Sequence, residues 1–232
     1  MASTPELIKN AVAMISSLLG FLGFNVALFA HHCLAAPPTL FDPQCSKVFG
    51  RWLYLTYQSN MIGTVYYGLS LVEAVLGAPS PLKAWLIRLF PLAFATGTFL
   101  TLAYYALDHF NPENFRRKER HKAAYPYIHW CSHLEHGHAL PLIFLHGAVM
   151  ELPPSVALPT SSVVFMTVGG YLIWYLIFVH VNHYLTGLWP YAVIDDVTRL
   201  GGAALRCVFF AGLTGLFIAL GVAGAALLHN RA

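Results

Sequence analysis

Residues 203–228 read AALRCVFFAGLTGLFIALGVAGAALL, and this stretch decides the class of fold. Arg206 is its only charged side chain. A helix needs about 20 predominantly apolar residues to cross the hydrocarbon of a bilayer, and this run exceeds that length. Working outward from it, five more stretches approach the same description, at roughly 10–30, 52–76, 85–107, 127–150 and 162–185. Composition agrees: 57% of residues are hydrophobic, 10% are charged, and the mean hydropathy is +0.61, against roughly 25% charged residues in an ordinary soluble domain. The expectation is an all-α fold, a polytopic membrane bundle of about six transmembrane helices, forming one integral membrane domain over residues 1–232.

The formal charge of +3 is too small to point to nucleic acid, and the basic residues read better as topology signals at a membrane surface. Cys33, Cys45, Cys131 and Cys207 lack CxxC spacing, so neither a disulfide framework nor a zinc site is expected. Residues 10–30 resemble a signal-peptide core but carry little basic charge before the apolar run, and a retained first span is expected. Breakers separate the spans at Ala36-Pro37-Pro38, Asp42-Pro43, Pro79-Ser80-Pro81, Asn111-Pro112, Pro153-Pro154, Pro159 and Gly201-Gly202.

With six spans both termini share one side. That side, with loops two and four, holds Lys9, Lys83, Arg88 and Arg231. The other holds Lys47, Arg51, Arg199, Arg206 and the cluster Arg116, Arg117, Lys118, Arg120 and Lys122. The positive-inside rule then expects loops one, three and five in the cytosol.

The first, third and sixth stretches are cleanly apolar, whereas the other three carry polar groups. Thr56, Gln58, Ser59 and Asn60 lie in the second; His129, His133, Glu135, His136 and His138 in the fourth; His180, Asn182 and His183 in the fifth. Polar groups at membrane depth are costly and usually face a bundle interior or a watered cavity. With span directions alternating, ten of the twelve histidines fall near the leaflet of loops one, three and five, His146 and His229 being the others. At 1.5 Å per residue, Thr56 sits about 6–8 Å inside its helix and His136 about 13–15 Å. His129, His133, His136 and Leu140 form one helical stripe, and Thr56, Asn60, Gly63 and Tyr67 another. Two such stripes suit a buried reaction centre, and equally two helices joined by interhelical hydrogen bonds.

Three segments carry a family resemblance. Arg51-Trp52-Leu53-Tyr54-Leu55-Thr56, followed by Thr64-Val65-Tyr66-Tyr67-Gly68 and Glu73, resembles the second-span signature of the androgen-induced protein family. His133-Leu134-Glu135-His136 with Pro141 is similar to its Asn-His-x-x-His segment, and His183-Tyr184-Leu185-Thr186-Gly187-Leu188-Trp189-Pro190-Tyr191 to its His-x-Thr-Gly-x-Trp-x-Tyr stretch. Ser132, Glu135 and Gly137 depart from the family's Asn, Met and Thr. The resemblance implies a membrane threonine hydrolase of fatty acid esters of hydroxy fatty acids, with the nucleophile on Thr56, the catalytic histidine on His136, and no cofactor or metal.

The chemistry is reasonable in itself, since a threonine hydroxyl needs an adjacent base to act as a nucleophile. His133, Asn60 and His183 are expected as supporting residues. The expected partners are a lipid ester drawn from the bilayer and the membrane itself, with no nucleic acid. Spans of about 20 residues favour the thinner endoplasmic reticulum bilayer over the plasma membrane. Two other readings stand beside this one: a metal or haem oxidoreductase ligated by His133, His136, His180 and His183, and a non-catalytic regulatory or scaffold protein.

Overall fold

The computed structural model describes residues 4–34, 47–76 and 81–231. The breakers at 36–38, 42–43 and 79–80, Cys45, and the side chain of His31 lie outside the described set. Helix α1 (Thr4–Phe29) runs on through a π turn, Ala30–Leu34. A short 3-10 turn, Gly50–Leu53, leads into α2 (Leu55–Leu76). Helix α3 (Pro81–Ala103) continues as a π turn, Tyr104–His109. Then come α4 (Pro112–His121), α5 (Ile128–His136) and α6 (Ala139–Val149). Helix α7 (Ser161–Val164) joins α8 (Gly170–Thr186) through the π turn Phe165–Gly169, and α9 (Ala192–His229) closes the chain.

The protein is a helical membrane bundle, with no strand among the described residues. Among the described residues, four segments are long and apolar enough to cross a bilayer: Ile8–Leu34, Pro81–His109, Ser161–Thr186 and Ala192–His229. The other two expected spans differ from these in instructive ways. Helix α2 has 22 residues, about 33 Å at 1.5 Å per residue, but it buries Gln58, Ser59, Asn60, Ser70 and Glu73 on its inner face. The fourth expected span is divided between α5 and α6. The last is bent where Gly201 and Gly202 leave helical geometry, Gly202 at φ +61°, a conformation open chiefly to glycine.

The division of the fourth span has a visible cause. A continuous helix would bond the Leu140 amide to the His136 carbonyl, one turn back. Instead the Thr101 hydroxyl of α3 sits between them, accepting from Leu140 N at 3.2 Å and donating to His136 O at 2.6 Å. A side chain inserted into the helical ladder opens it, and here it does so immediately after His136.

Two apolar clusters hold the bundle together. Phe24, Tyr66, Tyr67, Phe90, Phe94 and Ile143 anchor one, between α1, α2, α3 and α6. Leu53, Val168, Tyr175, Trp189 and Phe217 anchor the other, around α8 and α9. Close approach of α1 and α2 depends on missing side chains. A Cβ at Gly20 would stand 2.1 Å from the Tyr67 ring, and one at Gly63 would stand 2.3 Å from the Phe24 ring.

Candidate active site

The site begins with the start of α2. The first amides of a helix have no intrahelical acceptor, and here the Leu55 N–H donates to the Tyr191 hydroxyl at 2.8 Å. Tyrosines of α8 brace the same turn: Tyr175 donates to Leu53 O at 3.3 Å, and Tyr171 to Gln58 Oε1 at 2.9 Å. Gln58 in turn donates to Trp52 O at 2.6 Å. Thr56 is therefore the second residue of a firmly held helix N-terminus.

The Thr56 hydroxyl lies 3.1 Å from His136 Nε2. Buried helical threonines commonly bond back to a carbonyl of the preceding turn; this one reaches across to α5. The other ring nitrogen, Nδ1, lies 2.6 Å from Ser132 O. A carbonyl can only accept, so Nδ1 carries the proton and Nε2 presents its lone pair. The Thr56 hydroxyl thus donates to Nε2. Both side chains are half-buried, so the pair is held by the fold without being sealed.

The imidazole is also held across its faces. The Tyr104 ring stacks on His136 with centroids 4.3 Å apart and planes 14° apart. Lys118 Nζ sits 5.2 Å over the Tyr104 ring and forms an ion pair with Asp108. Lys118 belongs to α4, a surface helix that hydropathy did not anticipate. Its signal was local: Asn111 caps it by accepting from Glu113 N at 2.9 Å, Pro112 opens it, and Lys118, Arg120 and His121 fill its last turn, matching the helix start and stop pattern. At its far end Glu119 accepts from His129 at 2.7 Å. Hydrogen bonds from His129 and then Lys122 hold the Glu119 carboxyl below its ordinary value.

Of the residues expected to support the pair, Asn60 and His133 lie beside it in other roles. Asn60 Nδ2 donates to Glu135 O at 3.0 Å, tying α2 to α5. The His133 ring contacts the Tyr105 hydroxyl at 3.1 Å through Nδ1. The group that orients the His136 ring is the Ser132 carbonyl, which no residue-type signal could have revealed. Gly137 matters for the same neighbourhood, because a Cβ there would stand 2.9 Å from the Tyr105 oxygen.

His183 belongs to a different cluster. It lies flat on Trp189 at 4.0 Å, with His180 edge-on to the same ring at 5.0 Å and the Arg206 guanidinium 5.1 Å from it. From that C-terminal motif it is Tyr191, through its bond to Leu55, that reaches the start of α2. Among the described residues, no three His, Cys, Asp or Glu side chains come together as a metal-ligand group.

Sequence reading passed over His146, on α6. It is fully buried, with Ser16 Oγ 3.1 Å from Nδ1 and Ser70 Oγ 3.5 Å from Nε2. Ser70 and Ser17 are 2.9 Å apart, and Ser17 donates to Ala13 O at 3.0 Å. Nearby, Lys83 and Glu73 form a buried ion pair at 2.7 Å.

No curated protein and no solved structure matches this chain. A protein-family model does, over residues 12–229, under the description FAR-17a/AIG1-like protein. That match runs from within α1 to the end of α9, including Thr56, His136 and Tyr191, and the chain belongs to the FAR-17a/AIG1-like family.

Proposed function

We propose that this protein is a membrane-embedded lipid ester hydrolase in which Thr56 is the nucleophile and His136 the base. The observation that carries the reading is the 3.1 Å contact from the Thr56 hydroxyl to His136 Nε2, with the tautomer fixed by Ser132. A weak hydroxyl nucleophile needs a neutral acceptor within hydrogen-bond reach, and this arrangement provides one before substrate arrives.

In the proposed reaction, Nε2 takes the Thr56 proton as Oγ1 attacks the ester carbonyl. The C–O bond to the alcohol breaks, His136 returns the proton to the leaving alkoxide, and Thr56 is left acylated. Water then gives a proton to Nε2 as its oxygen bonds to the acyl carbon, the C–Oγ1 bond breaks, and Nε2 returns the proton to Thr56 Oγ1 as the acid leaves. The first turn of α2 favours the developing oxyanion, because its amides lie at the positive end of a 22-residue helix. The lipid ester reaches the half-buried pair from the bilayer. Fatty acid esters of hydroxy fatty acids are the proposed substrates, and the endoplasmic reticulum the proposed membrane. The motifs at 51–73, 133–141 and 183–191 support both the chemistry and the substrate class.

Labelling of the purified protein by a serine/threonine-directed fluorophosphonate, with turnover of branched fatty acid esters, tests the proposal. The expected result is labelling that Thr56→Ala and His136→Ala abolish. Absent labelling and turnover in the wild type overturn the hydrolase; full activity in both variants overturns the residue assignment.

A further inference from the structure

Arg51 carries a charge into the protein without a bond to meet it. The residue is half-buried in the 3-10 turn Gly50–Leu53 that leads into α2. It stands five residues before Thr56, and five residues cover at most about 18 Å even when fully extended. Its Nη1 is shut off from solvent and has no hydrogen-bond partner. None of the ion pairs among the described residues includes it. Lys118, by contrast, is committed to Asp108. A guanidinium does not shed its proton in a protein, and a charged nitrogen buried without an acceptor is costly. Its natural complement is a carboxylate, which the planar fork of an arginine matches with charge-assisted hydrogen bonds.

The neighbours of Arg51 are those of the reacting pair. The groups that act on it electrostatically are Glu135, Tyr57 and Cys33. Glu135 directly precedes the base His136 on α5, and its carbonyl takes the Asn60 amide of α2. Tyr57 directly follows the nucleophile, and its hydroxyl lies 3.3 Å from His32 Nε2. Cys33 shares with His32 the π turn that ends α1. Arg51 therefore belongs to the junction of α1, α2 and α5, on the approach to the helix that carries Thr56. Glu135 offsets its charge through space without bonding to Nη1.

We propose that Arg51 binds the free carboxylate of the ester substrate, so that the enzyme selects esters whose alcohol half is itself a carboxylic acid. The inference rests on the hydrolase reading above and deepens it by assigning the polar end of the substrate. In an ester of a hydroxy fatty acid the carboxylate belongs to the alcohol half, joined by a flexible alkyl chain to the oxygen that leaves. Arg51 then holds the leaving half while Thr56 takes the acyl half. A membrane-borne ester presents its parts in the same order, with a carboxylate at the surface, an alkyl tether, and the ester beyond it. The guanidinium acts up to acylation and is freed when the hydroxy acid departs, so the acyl-enzyme is hydrolysed without it.

A matched pair of substrates tests this on the full chain in nanodiscs. One is a fatty acid ester of a hydroxy fatty acid, the other the same molecule with its carboxyl capped as a methyl ester, and release of the acyl fatty acid is followed for both. Wild type should favour the free acid by at least about tenfold in kcat/KM, a comparison that needs no variant. Arg51→Gln should erase that preference, with the loss appearing mainly in KM. Arg51→Lys, which keeps the charge but not the fork, should retain only part of it. A wild type that is labelled at Thr56 by fluorophosphonate yet hydrolyses both molecules equally well overturns the assignment of Arg51 alone. So does an Arg51→Gln protein that loses both activities in the same proportion, the outcome for a packing role or for a lipid phosphate on Arg51. A wild type with no Thr56-dependent labelling or turnover overturns this inference together with the hydrolase.

Discussion

Two contacts of an aliphatic hydroxyl with an imidazole share the length 3.1 Å among the described residues, Thr56 with His136 and Ser16 with His146. Thr56, at the N-terminus of α2, and His136, at the C-terminus of α5, are half-buried. Ser16 and His146 are sealed, at 4% and 1% exposure, and their bond is one link in a chain. Ser17 donates to Ala13 O, so the Ser17–Ser70 contact has Ser70 donating. Ser70 therefore accepts from His146 Nε2, and Nδ1 is left to accept from Ser16. Every proton in that chain is already placed. Interhelical bonds of this kind fasten membrane helices together. The contact distance does not distinguish the two pairs, and in each the hydroxyl donates to an imidazole nitrogen whose ring partner is already bonded; what separates them is access.

Exchanging roles between the two ends is the way to break that contrast. The largest effect should come from Thr56→Ala and His136→Ala, each lowering ester turnover at least about a thousandfold while moving unfolding stability by under about 1 kcal/mol. Turnover assays and thermal unfolding on the same preparations check both halves. Wild-type turnover should also rise from acid towards neutral pH, since only unprotonated Nε2 can take the hydroxyl proton; a flat pH–rate profile contradicts the pair.

At the far end the signature reverses. Glu73→Ala strands Lys83 at 8% side-chain exposure and should cost about 3–5 kcal/mol, with the surviving folded protein still labelled at Thr56. His146→Ala leaves Ser16 and Ser70 without their acceptor and donor, costing about 2 kcal/mol and again sparing labelling. Tyr191→Phe sharpens the comparison most finely. It removes the cap from Leu55 and should lower stability by about 1 kcal/mol together with a measurable loss of turnover, because the same turn carries Thr56.

The clean spans were legible in the sequence because bilayer thickness writes directly into segment length. The Thr56–His136 pairing was legible through two polar stripes at matching depth together with the family motifs. What stayed hidden depends on tertiary partners. The break after His136 is made by Thr101, 35 residues away in the chain. The His136 ring is oriented by a backbone carbonyl, which has no residue-type signature. His146 sits in the apolar run Leu142 to Met150 and looks unremarkable until Ser16 and Ser70 are brought to it from α1 and α2. Helix α4 was legible in principle, from its cap and its basic last turn, but hydropathy looks only for length and apolarity.

The tight seating of Tyr67 on Gly20 and of Phe24 on Gly63 bears on how freely this chain can vary. Neither glycine sits in a turn or carries a reactive group, yet a single added methyl at either would drive a ring out of the contact between α1 and α2. In a saturation library scored for function, Gly20 and Gly63 should be nearly as invariant as Thr56 itself. They would be lost through packing, and a map of mutational tolerance would therefore outline the seam between α1 and α2 without any chemistry marking it.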